Sequence, residues 1–323
     1  MITMPDFRKK QILFVFFNEG EKMSILNDNL IVKDKDGKTK LQCTCYRLFI
    51  VFAVGSCTFT SVVIQRAIKF GFFIVCLTSG FRLYSVIGAP KDGNTLLKQK
   101  QYSYKGVDIG RRIVYNKIVN QREVLKNVRH KSDALKESIG MLDGYIASLT
   151  EAEKIDEIMA YEGLSAKVYF RNHFNNVVWN GRKPRLKNDY VNSALDVGYT
   201  ILFSFVDSLL ECYGFDTYVG FLHRHFYMRK SLVCDMVEPF RVLIDMQLKK
   251  GINLRQIKED DFILINRQWR LRYENSAKYV RLFATPLLDN KDEIFRYISS
   301  FYCAFMKDVP ADKLPLFLIG DEQ

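Results

Sequence analysis

The seven cysteines of this 323-residue sequence include no CxxC pair, and their odd number argues against a disulfide framework. A reducing cytoplasm is the expected compartment. Cys43 and Cys45 stand one residue apart, so on a strand they would face opposite sides and share no zinc ion. The amino-terminal MITMPDFRKK lacks a long apolar core, and no secretory signal is expected there. Proline is sparse, at seven residues; Pro90 closes one region, and Pro310 and Pro315 break up a polar tail. The one candidate membrane segment is Leu48 to Ile64. It is uncharged but contains Ser56, Thr58, Thr60 and Ser61 and lies between Arg47 and Arg66, which predicts a buried strand, turn and helix, with no membrane attachment. Internal repeats and low-complexity stretches are also missing.

With 48% hydrophobic residues, the chain is globular and long enough for two domains with cores of their own. Its formal charge is +12 with a pI near 9.2, and the excess is uneven. Arg82 to Lys136 is strongly enriched in Lys and Arg and is interleaved with Tyr102, Tyr104 and Tyr115. That composition favours a polyanionic partner, because phosphates release counterions on contact and aromatic faces can meet bases. A solvated basic helix is the competing explanation.

Short β-rich runs come first: MSIL, NLIVKD and KTKLQC, with Asp36-Gly37 as a hairpin turn in which glycine supplies the positive φ. LFIVFAV, a helix from Ser61 to Phe70, FFIVCL and RLYSVIG complete a small β-rich region ending near residue 90. The basic, then apolar, first 20 residues are an extra strand or an arm. Beyond residue 90 the period changes to three or four. One long basic helix is predicted over Leu96 to Asn127, and a segment interrupted at Gly140 and Gly144 over Ala134 to Leu149. Further helices are predicted over Glu151 to Trp179, Asp189 to Tyr213 and Phe262 to Tyr302. The fold class is therefore α+β in two domains: residues 1–90 β-rich, 91–105 a linker, and 106–323 a larger all-helical domain.

The richest chemistry lies in HRHFYMRKSLVCDMVEPFR, from His223 to Arg241. If Ser231 to Lys249 is helical, Asp235 and Glu238 share one face, with Arg241 a further turn along. A carboxylate pair beside an imidazole suits a hard divalent cation, and the imidazole tilts the choice toward Mn²⁺ without excluding Mg²⁺. The same residues read equally as a helix start capped by Ser231. Glu162 is a second acidic position, set in an apolar helix beside Gly163 and Ala166, where another helix can pack close; a surface glutamate is the alternative.

EGLSAKVYF, RKPRLKNDYVNSALDVGY, VGFLH and LVCDMVEPFR occur in the order found in one family. With the hairpin NLIVKDKDGKTKL and the later VCLTSGFRLYSVIG, they make nearly the whole chain resemble the CRISPR-associated endonuclease and integrase of spacer acquisition, the Cas1 family. The resemblance implies an N-terminal β-sandwich-like domain for dimerisation and partner contacts and a helical catalytic domain holding one Mg²⁺ or Mn²⁺. By motif match, Glu162, His223 and Glu238 take the metal-ligand positions. Many members carry aspartate where Glu238 stands, and the glutamate is similar to forms from single-effector CRISPR systems. Asp235 matches an acidic position with a supporting or second-ligand role, and Arg241 a basic position suited to phosphate. Asn192 and Tyr199 match recurring positions that packing explains equally well. His225 is read as a loop residue, and His130 and His173 as surface or packing residues.

The implied reaction is attack by the 3′-hydroxyl of spacer-precursor DNA on a phosphodiester of the CRISPR repeat. The implied partners are DNA, a second copy of the chain, and the small Cas2 protein bridging two dimers. Arg82 to Lys136 and the turn Arg182 to Lys187 are the candidate backbone contacts. A non-catalytic basic DNA-binding scaffold is the alternative function.

Overall fold

The computed structural model of the protein describes residues 2–88, 93–175, 177, 179, 181–183, 186–223 and 226–320. Pro90, Asp92, Asn180, Pro184, Arg185 and His225 lie outside the described residues. A short helix α1 (Met4–Arg8) leads into β1 (Gln11–Phe17), β2 (Lys22–Leu26), β3 (Asn29–Lys33), β4 (Thr39–Thr44), β5 (Leu48–Gly55), β6 (Thr58–Phe59), α2 (Ser61–Phe70), β7 (Phe73–Leu77) and β8 (Leu83–Ile87). These strands form two four-stranded sheets, ordered β1-β5-β7-β8 and β4-β3-β2-β6.

The apolar runs of β5 and β7 are buried on both faces, which is why neither shows polar alternation. Side chains still divide by the period of two. Val51, Ala53, Ile74 and Cys76 join Met23, Leu30 and Val32 of the second sheet and Val63 and Ala67 of α2 in one core. Ile50, Phe52, Val54, Phe73, Val75 and Leu77 join the helices that follow in another. The amino-terminal apolar stretch is a strand, β1, which runs parallel to β5 at the sheet edge with Leu13 opposite Val51. In the hairpin of β3 and β4, Gly37 takes φ +83°. Leu48 to Ile64 spans a buried strand, a short connection and the start of α2, as expected.

The remaining elements are α3 (Thr95–Ser103), α4 (Asp108–Lys126), α5 (Asp133–Thr150), α6 (Ile155–His173), α7 (Tyr190–Tyr213), α8 (Ser231–Met236), α9 (Arg241–Asn253), β9 (Phe262–Ile265), β10 (Gln268–Leu271), α10 (Ser276–Asp289) and α11 (Lys291–Met306). The one long basic helix is two, parted around Gly106, and α3 occupies most of the expected linker. Gln101 of α3 is buried and bonds the backbone of Asp216 and Val219, so this stretch belongs to the packed structure. Helix α5 runs through Gly140 and Gly144, because both face open space where a missing side chain costs only about 1 kcal/mol of helix propensity.

The carboxy-terminal region is mostly but not entirely helical, contrary to expectation: β9 and β10 pair as an antiparallel hairpin. Its turn residues Asn266 and Arg267 both have positive φ, the geometry of a tight hairpin turn made here without glycine. Helix α7 is the central element. Asp189 caps its start by accepting from Asn192 N at 2.6 Å, and Gly214 ends it in the left-handed region. By length and composition α7 could cross a membrane, yet 83% of its most apolar window is buried among the other helices.

Candidate active site

Asp235 sits on α8 with no solvent exposure, and its carboxylate turns back to the loop before that helix. It accepts from the backbone N–H groups of Phe221, Leu222 and His223 at 2.6, 2.9 and 3.0 Å. His223 Nδ1 lies 2.6 Å from Asp235 Oδ1. With Nδ1–H donating to the carboxylate, Nε2 is left as the lone-pair nitrogen, the tautomer a metal or proton requires. Gly220 makes this approach possible, since a Cβ there would fall 2.6 Å from Asp235 Oδ2.

The single helix expected over Ser231 to Lys249 is broken. Helix α8 stops at Met236, Glu238–Phe240 form a 3₁₀ turn, and α9 begins at Arg241. Pro239 explains the break, having no N–H to donate and clashing with a preceding helical carbonyl. Ser231 is the first helical residue rather than the cap, a place taken by Lys230. Asp235 and Glu238 consequently serve different partners.

Glu238 is 4% exposed and meets two cations: Arg241 Nε at 3.0 Å from Oε1 and Lys117 Nζ at 2.6 Å from Oε2. The Lys117 contact is an ion pair without hydrogen-bond alignment, so Oε2 has no directed donor. Lys117, on α4, also pairs with Glu162 on α6. Burial alone would raise the Glu238 carboxyl, but Arg241 and Lys117, helped by His223, outweigh it and hold it at about 2. Burial likewise disfavours the Lys117 ammonium, and Glu238 and Glu162 reverse that and raise it.

Arg241 also lies over the ring of Tyr199 at 4.7 Å, and Arg182 lies 5.2 Å from the same ring. The Tyr199 hydroxyl donates to Asp245, whose carboxyl burial pushes up to about 6. Asn192 ties the basic turn to α7, accepting from Lys183 N and donating to Gly181 O. Asn192 and Tyr199 thus organise the cleft through packing and hydrogen bonds. His173 is buried, stacked on Tyr169, and His130 is exposed.

Glu162, His223, Glu238, Arg241 and Lys117 all line one cleft of about 1690 Å³, which extends past Arg182 and Lys187 to Arg82 and, on the β9–β10 hairpin, Arg270. Part of the basic stretch Arg82 to Lys136 turns inward instead. Arg111 bonds Ala152 O, Arg112 bonds Leu314 O, and Lys117 enters the cleft. Among the described residues no three His, Cys, Asp or Glu side chains are gathered closely enough to hold an ion. The ammonium of Lys117 stands between the carboxylates where that gathering was expected. The donor set still suits a divalent cation: two carboxylates, one of them with an undirected buried oxygen, and an imidazole oriented by a carboxylate.

Sequence reading did not single out Lys117. Its signal is a lysine next to Ile118 and one turn after Ile113 and Val114, on the apolar stripe of an otherwise buried helix face.

Residues 14–285 match the family described as CRISPR associated protein Cas1. A relative named CRISPR-associated endonuclease Cas1 1, from Thermodesulfovibrio yellowstonii, is 28% identical over 226 residues, 66% of this chain and 71% of its own length. Among solved structures, one described as a Cas6-RT-Cas1–Cas2 complex superposes with a TM-score of 0.82 at 21% identity, covering 96% of this chain and 36% of that much longer one. A casposase bound to integration product superposes with a TM-score of 0.77 at 19% identity, covering 97% of this chain and 94% of that one. With the family match running over most of its length, from β1 into α10, this chain belongs to the CRISPR-associated Cas1 family.

Proposed function

We propose that the chain is a divalent-metal-dependent DNA integrase and endonuclease of CRISPR adaptation, joining spacer-precursor DNA to the CRISPR repeat by transesterification. The observation that carries this reading is the meeting of Glu162, Glu238 and the Asp235-held His223 on one basic-rimmed cleft. The 3′-oxygen of the incoming strand bonds to phosphorus while the bond to the departing 3′-oxygen breaks. The number of phosphodiesters is unchanged, and a proton passes from one hydroxyl to the other.

Glu162, His223 and Glu238 would hold Mg²⁺ or Mn²⁺, which when bound supplies Lewis-acid polarisation of a phosphate oxygen. Asp235 keeps His223 in its lone-pair tautomer and fixes the loop that carries it. Arg241, anchored on Glu238 and Tyr199, supplies fixed positive charge where the phosphate gains negative charge. Arg182, Lys187 and Arg270 line the approach and suit the strand backbone.

Residues 1–90 are assigned to dimerisation and partner contacts and 106–323 to catalysis. Cas2 as a partner and DNA as substrate are supported by neighbours described as a Cas6-RT-Cas1–Cas2 complex and a casposase bound to integration product; the homodimer and the bridging place of Cas2 rest on the family resemblance alone. An odd number of cysteines with no CxxC pair supports a reducing cytoplasm.

One observation favours the second reading, a non-catalytic DNA-binding scaffold: Lys117 forms ion pairs with both carboxylates, which balances charge without a metal. A strand-transfer assay on a repeat-containing plasmid, with Mn²⁺ and with and without Cas2, separates the two. Glu162→Ala, His223→Ala and Glu238→Ala are each expected to lower transfer by about 100-fold or more while DNA binding persists. Retained transfer in all three removes this site from the reaction, whereas no transfer by the wild type, with or without Cas2, leaves the scaffold.

A further inference from the structure

Two carboxylates and two cations meet at the centre of the cleft. Lys117 Nζ contacts Glu162 and lies 2.6 Å from Glu238 Oε2, while Arg241 Nε lies 3.0 Å from the other Glu238 oxygen. Asp235 makes no contact with either cation, its two oxygens being engaged by His223 and the three loop amides. Glu162 and Glu238 are thus neutralised in the absence of metal. A divalent ion placed between them meets a buried ammonium already in contact with both of its carboxylates. Repulsion from Lys117 and Arg241 then acts on it at close range in a partly desolvated site, and the remaining carboxylates, Asp235 behind His223 and Asp245 beyond Arg241, contact neither Lys117 nor the site of the ion. DNA phosphates would supply the missing negative charge.

We propose that Lys117 is a built-in counter-cation that holds Glu162 and Glu238 together before loading and makes the site take up its divalent ion weakly unless DNA phosphate enters with it. Lys117 is therefore a positioning residue that couples metal uptake to substrate. The inference rests on the reading of Glu162, His223 and Glu238 as ligands. A purely structural role, bridging α4, α6 and the turn at Glu238, has the opposite consequence: removing the lysine would loosen the carboxylates and weaken metal binding. The sign of the change decides between them.

The test is Mn²⁺ binding to the whole chain, measured by calorimetry and by the electron paramagnetic resonance of free Mn²⁺, with and without duplex DNA lacking 3′-hydroxyl ends. Wild type is expected to bind Mn²⁺ at least about tenfold more weakly without DNA than with it. Lys117→Met without DNA is expected to bind at least about tenfold more tightly than wild type, with a smaller DNA effect, from the loss of a unit charge beside the ion. Lys117→Arg, which keeps the charge, should behave like wild type. Lys117→Gln, which can still donate to one carboxylate, is the second neutral variant should methionine prevent folding. A natively folded neutral variant that binds Mn²⁺ no more tightly overturns the proposal, as does a wild type whose affinity ignores DNA. If neither neutral variant folds, the DNA dependence of the wild type decides alone. Should wild type bind no Mn²⁺ even with DNA, or Glu238→Ala bind it equally well, the ligand reading itself fails and this inference falls with it.

Discussion

Asp235 fixes His223 at two points, accepting from its backbone N–H at 3.0 Å and meeting its Nδ1 at 2.6 Å, while the other carboxylate oxygen takes the amides of Phe221 and Leu222. A fully buried carboxylate thereby orders the loop and sets the imidazole tautomer together. Asp235→Asn keeps the volume but turns an NH₂ group toward donors that need an acceptor. The expected cost is about 2–4 kcal/mol of stability, read as a lower thermal midpoint. Strand transfer should fall about 10–100-fold, as for other groups that orient a metal-binding histidine.

Gly220 guards the same arrangement from the other side. A Cβ there would meet Asp235 Oδ2 at 2.6 Å and the Ser231 carbonyl carbon at 3.0 Å. Gly220→Ala is expected to push the carboxylate off the amides and cost about 1–3 kcal/mol. Activity should drop as in Asp235→Asn, and combining the two should cost little more than either alone, because both break one contact set. Additive losses would count against a shared mechanism.

Local chemistry made much of this chain legible. The helix of α7 is bracketed by Asp189 and Gly214, the strands β5 and β7 by their apolar runs, and α2 by its register between Thr60 and Gly71. The motifs containing Glu162, His223 and Glu238 marked residues that do line one cleft. Features set by distant partners were not legible. The parallel pairing of β1 with β5 joins segments separated by other strands, and the β9–β10 turn uses Asn266 and Arg267 where glycine is the usual signal. Lys117 escaped notice because composition placed it in a basic stretch read as facing a polyanionic partner. Only the packing of α4 against α6 and the Pro239 turn makes it the partner of two carboxylates.

The rim of the cleft should bind DNA by charge rather than by sequence. Lys187 and Arg270 are both among its lining residues. Lys187→Gln and Arg270→Gln are each expected to weaken binding similarly for unrelated duplexes and to reduce the slope of log affinity against log salt by about 1. Fluorescence anisotropy over a salt series measures both. A slope unchanged in the double variant would remove these two residues from the DNA path.

His173 gives a stability signature on the acid side. It is 3% exposed, stacks on Tyr169 with ring centres 5.0 Å apart, and lies with Nε2 3.1 Å from Asp245 O, to which a neutral ring donates. Burial holds its folded-state pKa down at about 4, against an ordinary value of 6.5. Between those values the unfolded chain binds a proton that the folded chain does not, so stability rises with pH there and is lost as pH falls from 6.5 toward 4. The linked loss approaches about 3 kcal/mol if the whole shift is expressed. His173→Phe keeps an aromatic ring for Tyr169 but has nothing to protonate. Its thermal midpoint should therefore fall less than that of wild type between pH 7 and about pH 4.5, even if it starts lower for want of the hydrogen bond to Asp245. Parallel losses in the two proteins would show that His173 does not set this dependence.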